Sequence, residues 1–161
     1  MSTPEAATGP HLIVATLCER VLTETDGVLS VIRVVDRITQ TASGPEAPDQ
    51  MPPFILDWLT MLIALRSDQA RGRYGIKVRP EAPGGFQLPS AEQAIQLQSG
   101  PSGANLIMPL VLPITAEGVF WFDVFLTGPA PQQDRLLTRV PLEIVYQPNR
   151  PPVAASEESD S

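Results

Sequence analysis

Proline and glycine punctuate this chain too often for it to be built from helices. Eighteen prolines and eleven glycines are spread through 161 residues, between short apolar runs. Proline removes a backbone donor and clashes with the preceding helical turn, so such spacing favours short extended segments joined by turns. No stretch free of both residues carries a sustained i, i+3, i+4, i+7 apolar stripe. Asp57–Arg66 is the best helical candidate. It follows Pro52-Pro53, and every other periodic segment alternates with period two, so a strand is expected there as well.

The strands can be placed from alternation and turn chemistry. Leu12–Thr23 and Val28–Ile38 form a hairpin about Asp26-Gly27, a pair suited to a type I′ turn. A Pro/Gly-containing loop, Gln40–Pro53, follows. Phe54–Leu65 is apolar on both faces except at Asp57 and Thr60, which suggests a central strand. Arg71–Arg79 sets Tyr74, Ile76 and Val78 on one face and Arg71, Arg73, Lys77 and Arg79 on the other. Gln93–Gln98 alternates again, and Ser99–Gly103 reads as a turn. Asn105–Leu112 contains Pro109, which points to an edge strand or a bulge. Ala116-Glu117-Gly118 is a short hairpin connection into Val119–Leu126, and Gly128–Gln133 is a loop. Leu136, Thr138, Val140, Leu142 and Ile144 mark one face of the last strand.

The expected fold is an all-β, antiparallel β-sandwich of about eight strands. Its expected core is Leu12, Ile13 or Val14, Ile32, Val34, Leu56, Trp58, Tyr74, Ile76, Val78, Ile95, Leu97, Leu106, Leu110, Phe120, Phe122, Val124, Val140, Leu142 and Ile144. The length fits one domain. Residues 1–10 are small, polar and Pro-containing, and 147–161 are acidic with little to bury. Both are expected to be disordered, leaving one domain over 11–146.

Charge and composition exclude several functions. The net charge of −7 argues against a nucleic-acid partner. One Cys cannot close an internal disulfide, and one His with one Cys is too few for a zinc site, so no metal or cofactor is expected. The first ten residues have no basic or apolar signal region, and Leu59–Leu65 is far shorter than a membrane span. A cytoplasmic protein without a membrane partner is the expectation.

The opening hairpin, Cys18–Leu22 through Asp26-Gly27 to Leu29-Ser30-Val31-Ile32, resembles that of a family of small bacterial proteins of unknown function. In that family a Pro-rich loop, a G-x-F-x-F-x-V strand and a P-L-x-V strand follow. Here they correspond to Gly118–Val124 and Pro141–Ile144. The resemblance spans roughly residues 11–146. It implies a β-sandwich and carries no activity and no functional residues.

Catalytic types are scarce. His11 is the sole imidazole, no G-x-S-x-G elbow is present, and the carboxylates form no D-x-D or EF-hand pattern. Cys18 stands seven residues from His11, an odd separation that puts the two on opposite strand faces unless a bulge intervenes. Two surface features remain. The stripe Arg71, Arg73, Lys77, Arg79 holds four of the eleven basic residues and suits an acidic partner, or else a solvated outer face. If Phe120, Phe122 and Val124 face inward, Trp121 and Phe125 share the outward face with Asp123, as an interface anchor would. The expected function is a non-enzymatic interaction or scaffold module that binds another protein or itself. The alternative is a small-ligand or carbohydrate-binding sandwich that stacks its ligand on Trp121 or Trp58.

Overall fold

The computed structural model describes residues 9–128 and 134–151, and these residues contain no helix. Nine strands follow in order: β1 (His11–Thr23), β2 (Leu29–Val34), β3 (Arg37–Ser43), β4 (Phe54–Asp68), β5 (Gly72–Glu81), β6 (Ala91–Leu97), β7 (Gly100–Ile114), β8 (Gly118–Thr127) and β9 (Arg135–Asn149). They build a four-stranded sheet, β2-β1-β4-β7, and a five-stranded sheet, β3-β9-β8-β5-β6. One apolar core lies between the sheets. The four-stranded sheet contributes Leu17, Met61, Ile63, Leu65, Leu106 and Leu110. The five-stranded sheet contributes Ile76, Val78, Phe120, Phe122, Val124, Leu142 and Ile144. Each large apolar side chain taken fully out of water stabilises the fold by about 1.5–3 kcal/mol.

All-β architecture is as expected, but the strand count and several positions differ. The predicted return strand Val28–Ile38 is two strands. Arg33 takes a positive φ of 54°, Val35 turns into the core, and the chain crosses to the other sheet. There β3 lies parallel to β9, from Arg37 opposite Glu143 to Ser43 opposite Asn149. The fold is therefore not wholly antiparallel, and part of the predicted Gln40–Pro53 loop is strand. Ser99–Gly103 is largely the start of β7. Ala116-Glu117-Gly118 joins strands of different sheets and makes no hairpin. The last strand runs through Asn149, past the predicted domain end at 146, and Arg150 donates to the Ala47 carbonyl. Most of the predicted tails, and residues 129–133 of the predicted Gly128–Gln133 loop, fall outside the described residues.

The first hairpin turns by another route than the one predicted. Gly27 N–H donates to the Glu24 carbonyl at 2.9 Å, and Glu24 N–H to the Val28 carbonyl at 2.8 Å. Only Gly27 has a positive φ, 83°, while Asp26 stays in the ordinary region and accepts from Val28 N–H at 3.0 Å. This is a three-residue connection with glycine in the left-handed position, which needs only one positive φ where type I′ needs two.

Core positions were misassigned at both ends of the four-stranded sheet. Ile32, Val34, Trp58, Ile13 and Val14 are exposed. Val34 lies opposite Cys18 and Ile32 opposite Arg20, on the outward side of the sheet, so both face away from the core. At Trp58 the cause is a register shift in the β4–β7 pairing between Leu56 and Leu59, which keeps both leucines inward and turns Trp58 out. On β9 a shift opposite Val124/Phe125 moves Leu136 to the outside and brings Leu137 against the core. Pro109 does lie in an edge strand, β7.

Candidate interaction surfaces

The outer face of the five-stranded sheet carries most of the residues singled out in the sequence. Trp121, Asp123 and Phe125 of β8 point away from the core between β5 and β9, with Arg79 and Arg139 on either side of Asp123. Asp123 is buried. Arg139 Nε donates to its Oδ1 at 2.6 Å, and Arg79 donates to its Oδ2 at 3.4 Å. A second Arg139 nitrogen lies 3.6 Å from Glu81. The hydrogen bond to Asp123 holds the Arg139 pKa above its ordinary value.

The cations also cover the aromatics. The Arg139 guanidinium sits 4.8 Å from the Trp121 ring centre. Arg79 and Lys77 sit 4.8 and 5.5 Å from that of Phe125. Lys77 reaches Asp134 at 3.4 Å. Each such cation–π contact contributes about 0.5–1 kcal/mol at an exposed site. The basic stripe and the aromatic pair, read separately in the sequence, are thus one cross-strand lattice, completed by Arg139 and Asp123. Arg139 was missed because it comes from β9. Its only sequence signal is its place on the polar face of that strand. Arg71 precedes β5, and Arg73 is exposed beside a groove of about 480 Å³ shared with Glu92, Gln93 and Thr127. Neither arginine forms an ion pair among the described residues.

The outer face of the four-stranded sheet is different in kind. Alternation sends Leu106, Met108, Leu110 and Leu112 of β7 inward and Ile107, Pro109, Val111 and Pro113 outward. Beside them on β4 stand Ile55, Trp58, Thr60, Leu62 and Ala64, and next come Val14, Thr16 and Cys18 of β1. Val34 of β2 lies opposite Cys18 and completes the row. Exposure is 61% at Ile55, 41% at Trp58, 66% at Val34 and 67% at Val111. Leu62 and Cys18 lie in the middle of this face, outside the core cluster, and are nonetheless buried. One charged residue, Asp57, lies within the face, exposed beside Trp58 in the irregularity between Leu56 and Leu59. The sequence did contain the signal: β4 and β7 are apolar at both parities.

The remaining candidates do not converge. The register shift between Leu12 and Val14 restores a shared face to His11 and Cys18, against the expectation from their spacing. They still pair with Arg66 and Thr60 respectively, about 20 Å apart along β4. His11 Nε2 instead lies 3.0 Å from Asp68 Oδ2. Burial pushes the Cys18 thiol above its ordinary pKa, which keeps it protonated and weakly nucleophilic. Among the described residues no group of three His, Cys, Asp or Glu is placed to hold a metal, and no helix is long and apolar enough to cross a membrane. An apolar groove of about 430 Å³ at one end of the fold is lined by Phe86, Leu88 and Phe120 and by neither tryptophan.

No protein family, no curated protein and no solved structure matches the chain.

Proposed function

We propose that this protein is an interaction module that acts by binding another polypeptide, with the outer face of the four-stranded sheet as its binding surface. One observation carries the reading: a largely apolar face that runs across β1, β4 and β7, with Ile55, Trp58, Ile107 and Val111 exposed on it and Asp57 as the charged residue among them. Soluble proteins seldom leave a contiguous apolar patch above about 300–600 Å² open to water, and larger ones mark contact sites. Trp58 is the natural anchor, since a large ring fixed at the centre of a patch carries a disproportionate share of binding energy. Cys18, on this face, is buried, and its thiol is held above its ordinary pKa by that burial.

The test is recovery from native cells with the full chain and its Val111→Lys variant. Val111 is exposed on an edge strand, so the substitution leaves the core intact. The wild type should retain a stoichiometric polypeptide, its own copy or another chain, and the variant should lose it. Equal recovery by both, or none by either, overturns the reading.

A further inference from the structure

We infer that two adjoining grooves, where the chain crosses from β7 to β8, form one binding site for a small organic amine with an aromatic or alkyl body. This site is separate from the outer face of the four-stranded sheet and goes beyond the reading above. Its apolar half is the groove of about 430 Å³, lined by Pro83, Phe86, Leu88, Pro113 and Phe120 among others. Small-molecule sites usually enclose about 300–1,000 Å³. None of the residues lining this groove is ionisable. Phe120 belongs to the core at 1% exposure, whereas the Phe86 ring is left 75% exposed beside it. An apolar body laid in the groove takes part of that ring out of water, which favours binding.

The groove is held in shape before any ligand arrives. Phe86 stands on a tight turn in which Ala82 N–H donates to the Phe86 carbonyl at 2.6 Å and Gly85 N–H donates to the Ala82 carbonyl at 3.1 Å. Gly84 and Gly85 supply the positive φ values, 88° and 89°, that this turn requires. Leu88 N–H donates to the Pro80 carbonyl at 2.8 Å and ties the turn back to β5. Pro83 sits directly over Gly118, where an added Cβ would stand 2.9 Å from the proline ring. A preformed site loses little ordering entropy on binding.

Charge selects the head group. Thr115 and Ala116 line the apolar groove and also a second groove of about 230 Å³, together with Asp49, Met51 and Glu117. The apolar groove therefore opens into one that carries carboxylates. Asp49 is engaged by Arg150. Glu117 forms no ion pair among the described residues and accepts through Oε1 from the Tyr146 N–H at 2.7 Å. A carboxylate has acceptor sites to spare after one such bond, and an ammonium fills one while balancing the charge. Glu117 follows Ala116 directly, so a short spacer between body and ammonium spans the two halves. The chain's own segment 152–161 matches the site poorly. It carries Glu157, Glu158 and Asp160 without a cation, and Val153 is its only large apolar residue besides proline.

Isothermal titration calorimetry on the full chain, with three probes that share an indole body, reads body and head group separately. Tryptamine carries an ammonium, tryptophol a neutral hydroxyl and indole-3-acetate a carboxylate. Tryptamine should bind at least about 5-fold more tightly than tryptophol, and indole-3-acetate should bind most weakly. Phe86→Ser, at an exposed turn position, should weaken tryptamine and tryptophol alike by about 10-fold. Glu117→Gln keeps an oxygen for the Tyr146 N–H. It should bring tryptamine down to the affinity of tryptophol and leave tryptophol unchanged. Both variants should keep the wild-type far-ultraviolet spectrum. No binding of tryptamine up to about 5 mM overturns the inference. So does equal affinity for the three probes, a preference for the ammonium that survives Glu117→Gln, or tryptamine binding that Phe86→Ser leaves unchanged.

Discussion

Asp123 is a buried carboxylate on what is nominally a solvent-facing side of a strand. It stays there because two guanidiniums from flanking strands converge on it, Arg139 at 2.6 Å and Arg79 at 3.4 Å. A buried charge is tolerable only when paired and hydrogen-bonded. The same guanidiniums lie over Trp121 and Phe125, so one acidic residue orients the cations that cover two aromatic rings. Asp123→Asn keeps the shape, removes the charge and loosens both contacts. Because the arginines are partly exposed, the expected loss is about 1–2 kcal/mol, read as a lower urea midpoint with no change in sedimentation mass. A midpoint equal to that of the wild type would mean that the lattice contributes nothing to stability.

At the scale of the strand, the pairing of β4 with β7 sets the apolar face. The two run antiparallel from Phe54 opposite Ile114 to Asp68 opposite Gly100, broken by two register shifts. The strands approach closely at Gly103, where an added Cβ would stand 1.9 Å from the Leu65 carbonyl oxygen. That oxygen belongs to the backbone and cannot step aside. Gly103→Ala should therefore pry the strands apart at this end and cost about 1–3 kcal/mol, seen as a lower thermal midpoint. Gly75 is the control. Its added Cβ meets Thr127 Oγ1, the end of a side chain that can rotate, so Gly75→Ala should cost measurably less. Equal costs at the two sites would count against close backbone approach as the reason for Gly103.

At the scale of the whole molecule, the two outer faces divide the work. The five-stranded sheet closes its outer surface with ion pairs and cation–π contacts made within the chain. Among the described residues, the four-stranded sheet leaves a largely apolar surface open. Association through that surface should survive added salt. Raising sodium chloride from about 50 to 500 mM screens ion pairs and does not weaken apolar contact, so capture of the polypeptide partner should persist at the higher salt. Recovery at the two salt concentrations checks this. Weaker association at high salt would point instead to an interface built on ion pairs.

Much of this was legible in the sequence alone. Period-two alternation in Arg71–Arg79 and Val119–Leu126 identified Ile76, Val78, Phe120, Phe122 and Val124 as core and set Lys77, Arg79, Trp121 and Phe125 outside. The reason is that one face of each of these strands is polar enough for the period to show. The same logic placed Leu106 and Leu110 of β7 in the core correctly but failed at Trp58 on β4, where both parities are apolar and the register shift between Leu56 and Leu59 breaks the period. It failed again at Val34-Val35-Asp36, where the chain changes sheets without a proline or glycine to mark the break. The amino-acid sequence by itself determined the all-β class, most turn positions and the inward face of the strands that alternate. Only the tertiary structure decided which sheet each strand joins, that β3 runs parallel to β9, that Arg139 meets Asp123, and that the described residues leave the outer face of β1, β4 and β7 uncovered. These depend on pairing between residues far apart in the chain, and local periodicity carries no record of the partner.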